Sequence, residues 1–251
     1  MEALAHDQLD QLADEHWWLL GRKRVCLGLL EAALDGRQPA RVLDVGSGSG
    51  GFLASLRRIG GTLHHVDTDR GSLERCRARG QDGGLQASGG HLPFASETFD
   101  LVCLFDVLEH IADDREALTE VARVLRPGGT VFLHVPAHPW LFAQNDRVSG
   151  HHRRYTRAAL RDLTRAAGLE LERLTGTNVL LLPAIAAVIL ALKGLERLGF
   201  GRRSPHTNLS WPLPVWAHSL LARTFAAELL LSRTRDLPTG HSLALVARKA
   251  A

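Results

Sequence analysis

The chain has 251 residues, 45% of them hydrophobic, which is enough apolar material for one large domain or for a domain with an appended cap. Its formal net charge of +3 is too small to indicate a nucleic-acid partner. Cys26, Cys76 and Cys103 are odd in number and lack metal-ligand spacing, which argues against a disulfide framework and suits a reducing cytosol.

The first predicted elements lead into a glycine-rich loop. Residues up to about 34 have the pattern of helices that precede a sheet, and Gln38-Pro39 is typical of a linker. Residues 42–45, Val-Leu-Asp-Val, predict a buried strand, and residues 52–58 continue with helical spacing. Between them lies Gly-Ser-Gly-Ser-Gly-Gly at 46–51. Glycines there let a ligand approach the backbone, and the helix that follows offers it unpaired N–H groups, so this is a predicted nucleotide-cofactor loop.

The glycines fit two cofactors. Gly46, Gly48 and Gly51 satisfy the G-x-G-x-x-G of dinucleotide sites. With Gly50 in place of Gly51, they equally satisfy the shorter G-x-G-x-G of enzymes that use S-adenosylmethionine (SAM). The glycines alone therefore leave both cofactors open.

Two acidic residues bear on this choice. Asp67 follows a second apolar run about twenty residues beyond the turn, as a dinucleotide site requires. Asp44 lies two residues before the first glycine, where a carboxylate would repel a diphosphate. The same carboxylate suits the sulfonium and ammonium groups of SAM, so Asp44 favours SAM.

Further segments follow in a recognisable order. Residues 91–94 read His-Leu-Pro-Phe, residues 99–111 read Phe-Asp-Leu-Val-Cys-Leu-Phe-Asp-Val-Leu-Glu-His-Ile, and residues 125–129 read Leu-Arg-Pro-Gly-Gly. Strand and helix patterns alternate from 41 to 135, which predicts a parallel sheet covered by helices. Together with the glycine loop, these blocks resemble the class I SAM-dependent methyltransferases. Residues 15–18 and 150–157 more loosely resemble bacterial members that act on quinones, sugars or lipids.

The resemblance implies a set of cofactor-binding residues. In the family, an acid at the position of Asp67 takes both ribose hydroxyls, and an N-terminal segment like that of Trp18 and Arg22 closes over the cofactor. Ser88 departs from the family, which often has an acid at this position that accepts a hydrogen bond from the adenine amino group. Backbone groups and the apolar side chain of Leu92 would then contribute to adenine binding. The predicted cofactor-binding residues are Trp18, Arg22, Asp44, Gly46, Ser47, Gly48, Gly50, Asp67, Thr68, Ser88, Gly89, Leu92, Phe105 and Asp106.

Asp106 and His110 form the first candidate for chemistry on the methyl acceptor. They are four residues apart and would share a helical face at the mouth of the cofactor site, with His110 as a general base. The structural alternative is that Asp106 caps the helix and His110 packs beside the cofactor. No third ligand accompanies this pair in the sequence, so no metal site is predicted.

The second candidate is the loop at 150–155, Gly-His-His-Arg-Arg-Tyr, which in the resembling fold lies on the substrate side. His151, His152 and Tyr155 are predicted to act on the acceptor, and the paired arginines would suit a phosphate or carboxylate. The alternative is a solvated basic loop with Tyr155 packed in the core. His138, Trp140 and Asn145 are candidates for walls of the substrate site.

The last part of the chain contains an insertion. Residues 156–167 predict a helix with Thr156 as N-cap, residues 169–174 a sixth strand, and residues 242–248 a seventh. The intervening residues 176–240 should contain helices, because a structureless loop of that length is improbable. They include an apolar run at 178–192, a basic stretch from Lys193 to Arg203, and tryptophans at 211 and 216.

Three interpretations of the insertion stay open. It could be a buried helical cap or dimer face, a helix pair on a membrane surface, or a transmembrane span. The first apolar run has about fifteen residues and contains Pro183, which is short of the roughly 20 residues that a span needs.

The alternating pattern predicts an α/β fold, and the resemblance implies a Rossmann-like, seven-stranded, mostly parallel sheet whose last strand lies antiparallel beside the fifth. Residues 1–175 would form N-terminal helices and the SAM-binding core, residues 176–240 the helical insertion, and residues 241–251 the final strand.

The predicted function is methyl transfer from SAM to a hydroxyl of an apolar or lipid-linked small molecule, with S-adenosylhomocysteine (SAH) as product. The alternatives are a nicotinamide-dependent oxidoreductase and a non-catalytic, lipid- or partner-binding protein of methyltransferase type. The acidic, polar first residues predict no secretory signal, so a cytoplasmic location with contact to the cytoplasmic face of a membrane is expected.

Overall fold

The computed structural model describes Leu12, residues 16–200 and residues 213–250. The strands in chain order are β1 (Arg41–Val45), β2 (Thr62–Asp67), β3 (Gly84–Gln86), β4 (Phe99–Phe105), β5 (Leu125–Pro136), β6 (Leu169–Thr177) and β7 (Ser242–Lys249). The α-helices are α1 (Trp17–Leu34), α2 (Leu53–Ile59), α3 (Arg70–Ala78), α4 (Asp114–Val124), α5 (Gln144–Val148), α6 (Arg157–Ala166), α7 (Leu182–Arg197) and α8 (Val215–Ser232).

The strands form one sheet in the order β3–β2–β1–β4–β5–β7–β6. Neighbours from β3 to β5 pair in parallel, and β7 lies antiparallel between β5 and β6. This confirms the predicted seven-stranded, mostly parallel sheet with an antiparallel last strand. The order of strands reverses between β1 and β4, so the loops that follow these two strands diverge and leave a crevice at the carboxyl edge of the sheet.

Both faces of the sheet are covered, which explains the continuous apolar runs of the central strands. Successive side chains alternate between faces, so Val42 joins one buried layer and Leu43 the other. The layer of Val42 contains side chains of α1, α2 and α8, and the layer of Leu43 contains side chains of α4 and α6. Burial of each such side chain contributes about 1.5–3 kcal/mol.

The insertion is joined to the core through contact between α8 and α1. Gly21 and Gly28 lie two turns apart on one face of α1. A Cβ at Gly21 would come within 2.5 Å of Phe225 Cδ1, and one at Gly28 within 2.3 Å of Leu229 Cδ2. The glycines therefore permit the close packing of α8. Glu228 adds a polar anchor, because its Oε1 accepts a 2.7 Å hydrogen bond from the Leu180 backbone before α7.

The described part of the insertion contains the helices α7 and α8, as we expected from the length of the insertion. Among the described residues, no helix combines the length and the apolar character needed to cross a bilayer. Residues 201–212, which include Trp211, Arg202 and Arg203, lie outside the described ranges.

The helix and strand before the insertion agree with the sequence prediction. Thr156 caps α6 by accepting a hydrogen bond from the Ala159 N–H, and Gly168 has a φ of +74° just beyond the helix. β6 runs to Thr177, three residues beyond the predicted end, because β7 pairs with it over its whole length.

Candidate active site

A cavity of about 870 Å³ opens at the carboxyl ends of β1, β2 and β4. One end is formed by the glycine loop after β1. The other end is formed by α7 and the loop around α5. Polar groups are concentrated near the sheet, while α7 contributes an apolar wall.

The backbone of the glycine loop fits the shorter of the two glycine patterns. Gly46, Gly48 and Gly50 have φ values of +72°, +52° and +87°, a region that favours glycine. A Cβ at Gly46 would also lie 2.5 Å from Val107 Cγ2. Gly51 does not have a positive φ, and a Cβ there would meet nothing within 4 Å. The glycine that only the dinucleotide pattern uses is therefore not required by this loop.

Two side chains from β2 hold the loop. Asp67 Oδ2 accepts a 2.7 Å hydrogen bond from the Gly48 N–H, and its Oδ1 accepts one of 2.9 Å from Asp69 N–H. His65 Nδ1 lies 2.9 Å from Ser47 Oγ. His65 is buried in β2, so this contact gives it a structural role in holding the glycine loop. Asp67 lines the cavity and keeps lone pairs for further donors.

Asp44 and Arg22 line the cavity, and each has a buried polar atom without a hydrogen-bond partner. Asp44 is 2% exposed, and its Oδ1 has no hydrogen-bond partner; the Nε of Arg22 is likewise buried and unpartnered. Burial raises the pKa of Asp44 well above its usual range, and the neighbouring charge of Asp67 adds to this. A cationic ligand would offset the unfavourable burial of a charged Asp44. One unpartnered acceptor and one unpartnered donor fit the ammonium and carboxylate of an amino acid, which is the part of SAM that carries the sulfonium.

Arg22 also forms an ion pair that links α1 to the end of β4. Its Nη1 donates to Asp106 Oδ2, and the guanidinium stacks 4.7 Å from the ring centre of Trp18. The other oxygen of Asp106 lies 2.9 Å from His134 Nδ1. Burial alone would raise the pKa of Asp106, but His134 and Arg22 outweigh it and hold that pKa well below its usual range.

The expected helical face of Asp106 and His110 is wrong. The residues Leu108–His110 form a single 3-10 turn, and Asp106 lies before it with a φ of +56°. Asp106 does not cap this turn, because it is occupied by Arg22 and His134. Both residues nevertheless line the cavity, since the sharp bend after β4 turns the chain back across its mouth.

The predicted adenine end is only partly in the cavity. Thr68, Ser88, Gly89 and Phe105 line it, and the hydroxyl of Ser88 accepts a 3.2 Å hydrogen bond from the Gly90 N–H. Leu92 does not line the cavity: its side chain is buried in the core layer of α4.

The prediction and the structure also differ at Gly50 and Phe52, which lie near the predicted adenine-binding end. Gly50 shapes the loop through its φ but is not among the lining residues. Phe52, which sequence reasoning did not select, stacks on Phe105 with ring centres 3.8 Å apart and lines the cavity.

Three further residues that line the cavity, Glu109, His110 and His151, lie close together. One ligand atom of each lies within 4.8 Å of the others. Glu109 is fully buried, and neither of its carboxylate oxygens has a hydrogen-bond partner. Burial, together with His151, lowers the pKa of His110 to about 3, so its ring is neutral. The sequence reasoning chose His110 and His151 but missed Glu109, because nothing local distinguishes it from a surface acid of a helix.

The remaining residues of the 150–155 loop are divided between the cavity and the core. His152 lines the cavity. Tyr155 does not: it is 3% exposed, and its hydroxyl donates to Asp114 Oδ2 at 2.9 Å, so the structural alternative was correct for this residue.

The paired arginines are also committed to protein partners. Arg153 pairs with Asp114 at 2.8 Å, and Arg154 Nε donates to Asp146 Oδ1 at 2.7 Å. Neither is therefore a free anion site. Of the three predicted wall residues, Asn145 lines the cavity, whereas His138 and Trp140 do not.

The apolar wall of the cavity comes from α7 and the residue before it. Its lining side chains recur at helical spacing, and they are Leu181, Ile185, Val188, Ile189 and Leu192. Lys193, predicted as part of a basic edge, instead donates to the backbone carbonyls of Trp140 and Phe142 at 2.9 and 3.0 Å. This anchors α7 over the cavity.

The chain was also compared with known proteins, and the matches are methyltransferases. The family described as "Methyltransferase domain" matches residues 43–133. The chain is 38% identical over 101 residues to methyltransferase GfsG of Streptomyces halstedii, covering 37% of this chain and 36% of that protein. It is 30% identical over 156 residues to demethylmenaquinone methyltransferase of Tropheryma whipplei, covering 61% of this chain and 59% of that protein. Each match thus spans less than two thirds of the relative's own length.

Among solved structures, the fold is similar to that of a SAM-dependent methyltransferase from Thermotoga maritima, with a TM-score of 0.59 and 18% identity. The similarity covers 97% of this chain and 98% of that one. At this identity it supports the fold alone.

Proposed function

Because the chain belongs to the class I SAM-dependent methyltransferase family, we propose that it transfers a methyl group from SAM to a hydroxyl of an apolar or lipid-linked small molecule. The observation that carries this proposal is a single cavity that joins the cofactor residues at the sheet edge to the apolar wall of α7. Small-molecule sites are concave and mostly apolar, with a few placed polar groups, and this cavity has that composition.

SAM supplies a methyl group that its sulfonium already activates, so the protein mainly has to align the acceptor with it. Asp67 at the end of β2 would hold the ribose hydroxyls, Asp44 the ammonium and Arg22 the carboxylate. The unpartnered atoms of Asp44 and Arg22 support this assignment. The packing of α1 and α7 around the cavity would exclude water from the methyl group.

A hydroxyl acceptor is supported by the acidic and imidazole groups at the far end of the cavity. An oxygen nucleophile reacts after losing its proton, and such a step needs groups that receive or stabilise the charge. Glu109, which is buried, and the half-buried His110 and His151 are titratable groups that line the cavity close to one another. The stripe along α7 would hold an apolar part of the acceptor. One relative is named a ubiquinone biosynthesis O-methyltransferase, and a quinone-related acceptor that is methylated on oxygen belongs to the class that we propose.

A nicotinamide-dependent oxidoreductase is the rival enzyme, and the loop geometry speaks against it. Gly51 is not required by the backbone, and the buried Asp44 would face a diphosphate. Calorimetric titration distinguishes the two: SAH should bind, and nicotinamide dinucleotides should not.

The outer surface of the insertion supports contact with a membrane. Large apolar side chains are exposed on α8 and after α7; Val215, Trp216 and Leu230 are 83%, 69% and 77% exposed. Patches of this kind mark interaction surfaces in soluble domains. We propose that this surface lies on a lipid bilayer, so that a lipid-linked acceptor can enter the cavity beneath α7.

Liposome flotation tests this contact. The full chain should float with anionic vesicles at low salt, and Trp216→Glu should reduce the floated fraction by about tenfold or more, because an inserted large apolar side chain contributes about 1.5–3 kcal/mol. Leu85→Glu is the matched control, since Leu85 is 43% exposed on β3 at the opposite edge of the sheet. Absence of flotation, together with a dimer in sedimentation that Trp216→Glu dissociates, would assign this surface to a second copy of the chain.

A substitution in the 150–155 loop tests which end of the cavity receives the acceptor. His152→Ala should lower turnover up to about tenfold, the value of one hydrogen bond, and leave SAH affinity nearly unchanged. Arg153→Ala is the control with little effect on either quantity, because Arg153 is paired with Asp114 outside the cavity. A large loss of SAH binding in His152→Ala would move this loop to the cofactor site.

The acceptor class is tested with methyl-labelled SAM and fractionated cell extract. Label should enter the organic, lipid-containing fraction and not the aqueous one. Prior acetylation of the hydroxyls in that fraction should abolish labelling. Labelling that survives acetylation would indicate transfer to carbon, and SAH binding with no labelling of any fraction would support the non-catalytic alternative.

A further inference from the structure

We propose that Glu109, His110 and His151 bind a divalent transition-metal ion of the zinc class. The proposal deepens the function proposed above, because the ion would lie at the end of the cavity assigned to the acceptor hydroxyl. The sequence alone gave no reason to expect it: His110 had no evident partners, and His151 lies forty-one positions further along the chain.

The side chains have the chemistry and the placement of a three-ligand site. One carboxylate oxygen and two imidazole nitrogens lie within 4.8 Å of one another, and Glu109 Oε1 is 4.0 Å from His151 Nε2. Ligands at about 2.0–2.2 Å from a tetrahedral zinc ion lie about 3.3–3.6 Å apart, so the ligand atoms would have to approach one another by about 0.4 to 1.5 Å to complete the site. The rings of His110 and His151 are nearly perpendicular, with centres 4.6 Å apart.

The two histidines are already oriented as metal ligands. Asp146 Oδ1 lies 2.9 Å from His151 Nδ1, which leaves Nε2 facing Glu109. Asp146 is fully buried, and its Oδ1 also accepts a 2.7 Å hydrogen bond from Arg154 Nε, which fixes its position behind His151. The Gly150 backbone lies beside the His110 ring. A carboxylate or carbonyl behind each ligating histidine is the usual outer shell of a metal site.

The buried acid is the observation that points to a cation. Glu109 is 0% exposed and both of its oxygens lack a hydrogen-bond partner. A buried carboxylate without a partner is costly, and a bound cation would offset that cost. Two imidazole nitrogens favour a transition metal such as zinc, because magnesium and calcium prefer oxygen ligands.

Such an ion would have a role in the proposed reaction. A site with three protein ligands keeps a coordination position open, and all three residues line the cavity in which the acceptor would bind. A hydroxyl bound there becomes more acidic, as bound water does on zinc. The acceptor would release its proton to water and present an anionic oxygen toward the methyl group.

The test uses the full chain after removal of metal with a chelator, without SAM or acceptor. Co²⁺ is the probe, because its visible absorption reports coordination geometry, and Zn²⁺ competition follows. We expect one tightly bound Co²⁺ per chain with a tetrahedral-type spectrum. Glu109→Gln and His151→Ala should each weaken binding about a hundredfold or more, since outer-shell changes alone cost 10–100-fold. His91→Ala, at an exposed histidine outside the cavity, should bind as the wild type does.

Glu109→Gln has the shape of a protonated glutamic acid, so a purely structural role for Glu109 predicts a folded variant with unchanged Co²⁺ affinity. That result, or absence of a bound Co²⁺ in the wild type, would overturn the metal site. It would leave the methyltransferase proposal intact, because SAH binding is measured separately on the metal-free chain. A chain that binds Co²⁺ as expected but does not bind SAH would contradict the proposed function and not the metal site.

Discussion

The Asp106→Asn variant is expected to lose about 3–5 kcal/mol of unfolding free energy, the usual effect of removing one partner of a buried ion pair. The side chains of Arg22 and Asp106 are 16% and 13% exposed, and the change would leave the guanidinium without its anion. Asparagine tolerates the φ of +56° at this position, so backbone strain does not enter the comparison. Chemical denaturation of the two proteins at neutral pH measures the difference.

An exposed ion pair is the matched control. Glu74→Gln removes a partner of Arg70, but these side chains are 62% and 81% exposed, so little change is expected. A loss below about 1 kcal/mol in Asp106→Asn would show that this pair does not hold α1 to the sheet.

The contribution of Asp106 should also depend on pH. Its pKa in the folded chain is lowered, so the unfolded chain binds a proton more readily at acid pH. The stabilisation is therefore complete above the unfolded pKa of about 3.9 and is lost as the pH falls below it. The difference between the wild type and Asp106→Asn should shrink at acid pH and stay constant from neutral to mildly alkaline pH.

The second large effect is expected for cofactor affinity in Asp67→Ala. Loss of hydrogen bonds to a charged acceptor costs about 1.5–3 kcal/mol, so SAH should bind roughly ten- to a hundredfold more weakly. Asp67 also accepts from the Gly48 and Asp69 N–H groups, so the glycine loop would lose part of its support as well. Asp67→Asn separates these effects, because its amide oxygen can still accept from one N–H while the charge is lost. Calorimetry that gives wild-type affinity in a folded Asp67→Ala would refute the assignment.

The sheet and the cofactor loop could be predicted because their signals are local. The glycine turn after residues 42–45 needs positive φ at particular positions, and no other residue type meets that need as readily. The antiparallel place of β7 beside β5 came from the resemblance, since strand order is not encoded in any one segment. The helical content of the insertion followed from its length and apolar character.

The errors in the site come from contacts between distant segments. Leu92 and Tyr155 were chosen from their neighbours in sequence, but packing directs both side chains into the core. Glu109 was missed because it resembles a surface acid until the bend after β4 buries it beside His151. The partner that Arg22 takes is likewise decided by tertiary packing, which brings α1 to the end of β4.

The most direct test of methyl transfer compares SAM labelled in the methyl group with SAM labelled in the carboxyl group. Each is incubated with the full chain and a lipid extract, and the organic-soluble product is counted. Label should appear in that product from methyl-labelled SAM, should not appear from carboxyl-labelled SAM, and should fall sharply in Asp67→Ala. Equal incorporation from both forms, or from neither while the chain binds a nicotinamide dinucleotide, would contradict a SAM-dependent methyltransferase.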